Sequence, residues 1–88
     1  MKTKKGKQYS FEHTKLRLLQ RYGIDITMDD YDAICHMIKH NICTTLIDTE
    51  KQKDDTQYIY DLKWALNPIL RVVWSDKRQR ITTALKRS

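Results

Sequence analysis

The hydrophobic period of the sequence changes near residue 41, and this change constrains the fold more than any other feature. Over residues 10–22 and 28–40 the apolar side chains recur every three or four positions, which is the period of an α-helix. From residue 42 onward apolar and polar residues alternate, as they do in strands. The predicted strands are 42–50, 57–64, 69–75 and 80–86. This order predicts an α+β fold in which two N-terminal helices pack on one face of a four-stranded antiparallel sheet.

Local signals set the predicted ends of the two helices. Ser10 can accept a hydrogen bond from the free amides of a first turn, and Gly23 can adopt the left-handed conformation that ends a helix. The second helix is predicted to begin near Thr27, with acidic residues in its first turn. The apolar arc of the first helix, predicted to face the sheet, contains Phe11, Leu16, Leu18, Leu19 and Tyr22.

Positive charge is concentrated at the two ends of the 88-residue chain. Residues 1–7 contain four lysines and no acidic residue, and residues 71–88 contain six basic residues and one acidic residue. The intervening segment is net acidic, although the formal net charge of the chain is +6. We expect residues 1–9 to form a basic flexible tail and residues 10–88 to form one small α+β domain. The basic ends favour an anionic partner, RNA more than DNA, although such ends also serve solubility alone.

Three further features bear on the cellular setting. No apolar run approaches the roughly 20 residues that span a membrane, so no membrane partner is predicted. The basic N-terminus is not followed by an apolar stretch, so no secretory signal is predicted. Cys35 and Cys43 do not form the framework of a secreted mini-protein and are typical of reduced thiols, which favours the cytoplasm.

One group of residues has the spacing of a zinc site. His36, His40 and Cys43 would gather on one face of a continuous helix. That face lies roughly opposite the apolar stripe of the second helix, which contains Tyr31, Ile34 and Ile38. Cys43 falls within the first predicted strand. We therefore predict neither a metal nor a cofactor.

A row of aromatic residues alternates along the predicted strands. Such a row can stack exposed bases, as in single-strand binders. In a chain this short it is more often the core, and we favour the core here. The row consists of Tyr58, Tyr60, Trp64 and Trp74.

The pattern with the clearest chemistry is a stripe of His13, Arg17 and Arg21, spaced four residues apart on the first helix. It borders the apolar arc, and Glu12, the only acidic residue of this helix, lies off it. A solvated face, a phosphate-binding surface and part of an active site are all compatible with such a stripe. Cleavage of RNA by its own 2′-hydroxyl needs a proton-transfer group of near-neutral pKa and fixed cations for the phosphate charge. Histidine and arginine supply these two properties.

Two segments resemble a known family. The first, "HTKLRLLQRYGI", has the pattern His-x3-Arg-x3-Arg-x-Gly-Ile. The second, "RITTAL", has the pattern Arg-Ile-x-Thr-x-Leu and comprises Arg80, Ile81, Thr83 and Leu85. On these motifs the chain resembles the small RelE/BrnT-type proteins of the barnase–colicin–RelE ribonuclease superfamily, over roughly residues 10–87.

The resemblance implies two helices against a four-stranded antiparallel sheet and metal-independent RNA cleavage, often as the toxin of a toxin–antitoxin pair. It implies His13 as the proton-transfer residue, Arg17 and Arg21 as phosphate ligands, and Thr83 as a hydrogen-bonding strand residue. Thr83 has the strand parity of Ile81, so we expect it to face the helices near His13. The basic residues expected to bind nucleic acid are Arg71, Lys77, Arg78, Arg80, Lys86 and Arg87.

An alternative function stays open at this point. A non-catalytic phage or plasmid accessory protein that binds a host protein or nucleic acid would have the same sequence features. An antitoxin or a host protein is therefore a possible partner beside RNA. The two functions differ in whether the chain cleaves RNA.

Overall fold

The computed structural model describes residues 2–87, with the backbone alone for residues 2–5. Two helices precede four strands, and the strands form one antiparallel sheet in the order β1-β2-β3-β4. The elements are α1 (Lys2–Tyr22), α2 (Met28–Lys39), β1 (Thr44–Lys51), β2 (Thr56–Leu62), β3 (Leu70–Ser75) and β4 (Arg80–Leu85). The predicted α+β fold class is therefore confirmed. Within residues 2–87 no helix has the length and apolar character that crossing a bilayer requires.

The core lies between the helices and one face of the sheet. Helix α2 buries Tyr31, Ile34 and Ile38, and the Tyr31 hydroxyl donates to the Ile81 carbonyl oxygen at 2.5 Å. Burial of this phenol raises its pKa, because the charged form would lose its hydration. The sheet contributes Leu62, Leu70, Val72, Trp74, Ile81 and Ala84. Because these side chains alternate with residues on the other face, their period of two sets which face is buried.

The start of α2 follows the sequence prediction. The Thr27 hydroxyl accepts from the Asp30 amide at 3.1 Å, and the Asp30 carboxylate accepts from the Thr27 amide at 3.0 Å. This capping box satisfies two amides that have no partner within the helix. The end of α1 also follows its prediction, because Gly23 has a φ of 67° and its amide donates to the Leu19 carbonyl oxygen.

Helix α1 differs from its prediction at its start and in its buried side. It begins at Lys2 and not at Ser10, so residues 2–9 are helical where we expected a tail. The buried line runs through Ser10, Thr14 and Leu18, whereas Leu16 and Leu19 are 47% and 48% exposed. The prediction that Leu16 and Leu19 face the sheet is wrong, because the buried side of α1 is the line through Ser10, Thr14 and Leu18. On this line Ser10 contacts Arg80 of β4.

Helix α1 runs beside β4 and in the same direction. Near its end, Arg21 donates to the Ala84 carbonyl oxygen at 3.1 Å. The Tyr22 hydroxyl donates to the Leu85 carbonyl oxygen at 2.6 Å and accepts from the Arg71 amide at 3.0 Å. The Arg21 bond satisfies a carbonyl group of the edge strand β4, and the Tyr22 hydroxyl bridges paired residues of β4 and β3. Strand β1 forms the opposite edge.

The predicted strand limits agree closely with the structure. The largest differences are at the start of β1, predicted at residue 42 and found at Thr44, and at the end of β2, predicted at 64 and found at Leu62. The register shifts at two places, once in β1 between Leu46 and Asp48, and once opposite Val73 and Trp74. The second shift decides which residue of β4 lies near α1.

Candidate nucleic-acid interface

The first half of α1 and the turn between β3 and β4 enclose a cleft of about 280 Å³. We call it the arginine cleft. Its lining combines two cations, one phenol ring, two aliphatic hydroxyl groups and a glycine. The residues are Gly6, Tyr9, Ser10, Arg78, Arg80 and Thr82. One wall of the cleft therefore belongs to the part of α1 that the sequence analysis assigned to a tail.

Arg80 packs against α1 at two small residues, Gly6 and Ser10. Its Nε donates to the Oγ of the buried Ser10 at 3.0 Å. A Cβ atom at position 6 would lie 2.8 Å from an Arg80 Nη atom, so the guanidinium occupies the space that Gly6 leaves. Ser10 is therefore not a helix cap as predicted but the acceptor that orients Arg80. Within residues 6–87, the terminal nitrogens of this guanidinium make no hydrogen bond.

The stripe of His13, Arg17 and Arg21, which we call the α1 stripe, continues from this cleft along β4. The partly buried His13 packs its ring nearly parallel to the Tyr9 ring, at 14° and a centroid distance of 6.1 Å. Arg17 donates to Gln20 Oε1 at 3.0 Å. Arg21 is engaged with the Ala84 carbonyl oxygen, so the three stripe residues have three different partners.

Thr83 does not lie where strand parity placed it. It pairs with Val73, whose neighbours Val72 and Trp74 belong to the core, so Thr83 lies on the face of the sheet away from the helices. The register shift leaves Thr82 as an extra residue in β4, and this residue lines the arginine cleft. The expectation that Thr83 meets His13 is therefore wrong, and Thr82 takes the place next to α1.

The cations predicted to bind nucleic acid divide into separate groups. Arg71 makes a bidentate ion pair with Asp61, at 2.8 Å and 3.2 Å, and the Arg87 Nε lies 3.6 Å from the same carboxylate. We call these three residues the Asp61 cluster. The Asp61 side chain is only 14% exposed, and its hydrogen bond raises the pKa of Arg71. The structure therefore brings Arg71 and Arg87 to Asp61 and not to the arginine cleft.

Lys77 and Arg78 lie in the turn between β3 and β4, and hydrogen bonds of the buried Ser75 and the partly buried Asp55 position this turn. Asp55 accepts from the Ser75 hydroxyl at 2.5 Å and from the Lys77 amide at 2.8 Å. Ser75 Oγ in turn accepts from the Arg78 amide at 3.1 Å. The hydrogen bond from Ser75 is the largest cause that lowers the pKa of Asp55. Both cationic side chains are exposed, as is Lys86 after β4.

The arginines of the cleft and stripe differ from those of the Asp61 cluster in their counter-charges. Within the described side chains, no carboxylate forms an ion pair with Arg17, Arg21, Arg78 or Arg80. Guanidinium groups stay charged at all physiological pH values and bind phosphate through two parallel hydrogen bonds. This side of the molecule therefore presents positive charge to which an anion has access.

The proposed metal ligands and the aromatic row have other surroundings. His36 and His40 pack their rings against each other at 4.3 Å and are both exposed, and Cys43 is exposed beyond the helix. In residues 6–87, no group of three or more metal-ligating side chains could hold an ion. The aromatic row belongs to the core, as favoured, because Trp74 is buried and the other three pack against the core cluster.

Sequence reasoning missed three residues of this site: Gly6, Tyr9 and Thr82. The spacing of Gly6 and Ser10, four residues apart, is a signal for a close approach on a helix, but it requires the helix to begin before residue 6. Tyr9 is 71% exposed, and no hydrophobic period marks it. The position of Thr82 in the cleft depends on the register shift in β4, and no residue type in the sequence predicts that shift.

No family model, no curated protein and no solved structure matches this chain. The resemblance to the RelE/BrnT-type proteins therefore stays a prediction from two short motifs. Of those motif residues, the chain places His13 and Arg80 on the side of the cleft and Thr83 on the other face of the sheet. The geometry of the arginine cleft and α1 stripe is the basis for the functional assignment.

Proposed function

We propose that this protein binds RNA through the arginine cleft and the α1 stripe, and that it cleaves RNA there without a metal ion, as a cytoplasmic toxin. The observation that supports RNA binding is the absence of ion pairs at Arg17, Arg21, Arg78 and Arg80 among the described side chains. Phosphate contacts supply most of the affinity of proteins for nucleic acids, and unneutralised arginines are their usual donors.

The proposal for cleavage depends on His13. Its ring packs on Tyr9, which lines the cleft, and its helix continues to Arg17. An imidazole next to fixed cations can move protons while the cations stabilise the charge on the phosphate. In this mechanism His13 takes the proton of the 2′-hydroxyl while that oxygen bonds to phosphorus, and Arg17 binds the phosphate. The bond from phosphorus to the 5′-oxygen breaks, water supplies a proton to this leaving oxygen, and the products are a 2′,3′-cyclic phosphate and a 5′-hydroxyl. Thr82 replaces Thr83 as the strand residue near the site.

RNA binding is tested by titrating the protein into labelled single-stranded RNA at several salt concentrations. We expect the affinity to fall steeply with salt, because each neutralised phosphate releases condensed counterions. Heparin serves as a polyanion control. Absence of binding at low salt, or binding that salt leaves unchanged, would contradict the proposal.

Cleavage is tested separately with total cellular RNA in the presence of a chelator. We expect the wild type to produce defined fragments and the variant R17A to produce fewer, with its thermal stability unchanged. A wild type that binds RNA and leaves it intact would refute the enzymatic part and leave the binding part standing.

A second candidate function is a non-catalytic accessory role, in which the chain binds an antitoxin or a host protein. The exposed edge strand β1 favours it, because Leu46 and Ile47 are 50% and 44% exposed there. Edge strands with free backbone groups pair readily with other chains. Stable complex formation with a protein from a host lysate, together with no RNA binding, would favour this function over the first.

A further inference from the structure

Tyr9 is the most exposed aromatic side chain beside the arginine cleft. Tyr9 is 71% exposed, whereas the aromatic row on the strands packs against the core. The His13 ring lies nearly parallel to it at a centroid distance of 6.1 Å. Tyr9 thus has one aromatic neighbour and contributes little to the core.

The surroundings of Tyr9 match the two parts of a nucleotide. A base is planar and apolar on its faces, and it stacks on aromatic side chains when it is not paired. A phosphate needs a cation with several donors, and Arg78 and Arg80 line the same cleft. The Thr82 hydroxyl adds a group that can donate or accept a hydrogen bond.

We infer that Tyr9 is a base-stacking subsite for one unpaired nucleobase of single-stranded RNA, with the adjoining phosphate bound by Arg78 and Arg80. This inference rests on the proposed function and adds a preference for single strands to it. Bases within a duplex are stacked on each other and cannot reach the Tyr9 ring. Phosphate contacts alone would not distinguish the two forms in this way.

The test compares two substitutions at Tyr9 on a short single-stranded RNA and on the duplex of the same sequence. Y9F keeps the aromatic face, whereas Y9L keeps apolar volume without it. We expect Y9L to weaken single-strand binding about 5- to 150-fold, as the loss of one base stack does. We expect Y9F to bind like the wild type, and neither variant to change the weaker binding of the duplex.

The matched control is L16A, because Leu16 is also exposed on α1 but does not line the cleft. Thermal unfolding of all variants identifies any loss of folding. Equal single-strand affinity of Y9L and the wild type, or equal losses on single strand and duplex, would refute the subsite while RNA binding itself stands. A wild type that binds neither form of RNA would refute the proposed function and the subsite together.

Discussion

Two groups of arginine in this protein differ in what neutralises them. Arg71 and Arg87 share the carboxylate of Asp61, and Arg71 holds it in a bidentate pair. Arg78 and Arg80, next to α1, have no ion-pair partner among the described side chains. Sequence alone groups all four as basic residues near the C-terminus.

The difference teaches that an arginine count does not locate a binding surface. A guanidinium bound to a partly buried carboxylate holds two strands together and adds little to the field outside the protein. A guanidinium with free terminal nitrogens attracts anions and binds them directly. The predictions below separate these two roles, from the largest expected effect to the smallest.

The largest effect is expected at His13. We predict that H13A lowers the rate of RNA cleavage about 10²- to 10⁴-fold, as the loss of a positioned proton-transfer group does. The measurement is the initial rate of cleavage in the presence of a chelator. H36A is the matched control, because His36 is exposed on α2, away from the cleft. Equal cleavage by both histidine variants would contradict the assignment.

Affinity for RNA distinguishes the two arginine groups next. We predict that R17A/R78A weakens RNA binding roughly 10- to 100-fold, whereas R71A/R87A removes the same charge with a much smaller effect. Each lost phosphate contact lowers the slope of log affinity against log salt by about 0.7 for single strands. Fluorescence anisotropy at several salt concentrations gives both quantities. Equal losses in the two double variants would mean that only net charge matters.

For the free energy of unfolding we expect the opposite order, with the larger loss in the Asp61 cluster and the smaller loss at Arg78. We predict that D61N lowers the free energy of unfolding by about 1–3 kcal/mol, because two guanidinium groups lose a charged acceptor. R78A should stay within about 0.5 kcal/mol of the wild type, since the Arg78 side chain is exposed and has no ion pair among the described side chains. Urea denaturation measures both. A larger loss of stability in R78A than in D61N would contradict the division into two roles.

The smallest effect concerns the turn that presents Arg78. The pKa of Asp55 is lowered in the folded protein, chiefly by the hydrogen bond from Ser75. This carboxylate therefore stabilises the fold above its ordinary pKa of 3.8, and that contribution is lost as the pH falls through the lower pKa of the folded state. We predict that the melting temperature of D55N falls less than that of the wild type when the pH is lowered through this range. The same decline in D55N and the wild type would show that other groups cause it.

The elements of this fold could be predicted from the sequence because each depends on a local pattern. Strands alternate around Tyr60 and Val72, and Gly23 and Thr27 mark helix ends. The start of α1 could not be predicted in this way, since the lysine-rich stretch before Ser10 has no apolar period. Helix α1 extends from Lys2 to the buried residues Ser10, Thr14 and Leu18. Its start becomes visible only in the tertiary structure, where Ser10 contacts Arg80 of β4.

The site was predictable only in part. The spacing of His13 and Arg17 follows from the helical period, so the α1 stripe could be found. The position of Thr83 depended on an uninterrupted strand, and one extra residue in β4 moved it to the other face of the sheet. The pairing of Arg71 with Asp61 follows from the register of β2 and β3, which is a property of the tertiary structure.

The most direct test of the central idea is an NMR titration of the ¹⁵N-labelled protein with short single-stranded RNA. If the arginine cleft and α1 stripe bind RNA, the amide signals of Tyr9, His13, Arg78 and Thr82 shift with added RNA. The signals of Asp61 on β2 stay in place in that case. Shifts centred on Asp61 with none at Tyr9 and Arg78 would contradict the account.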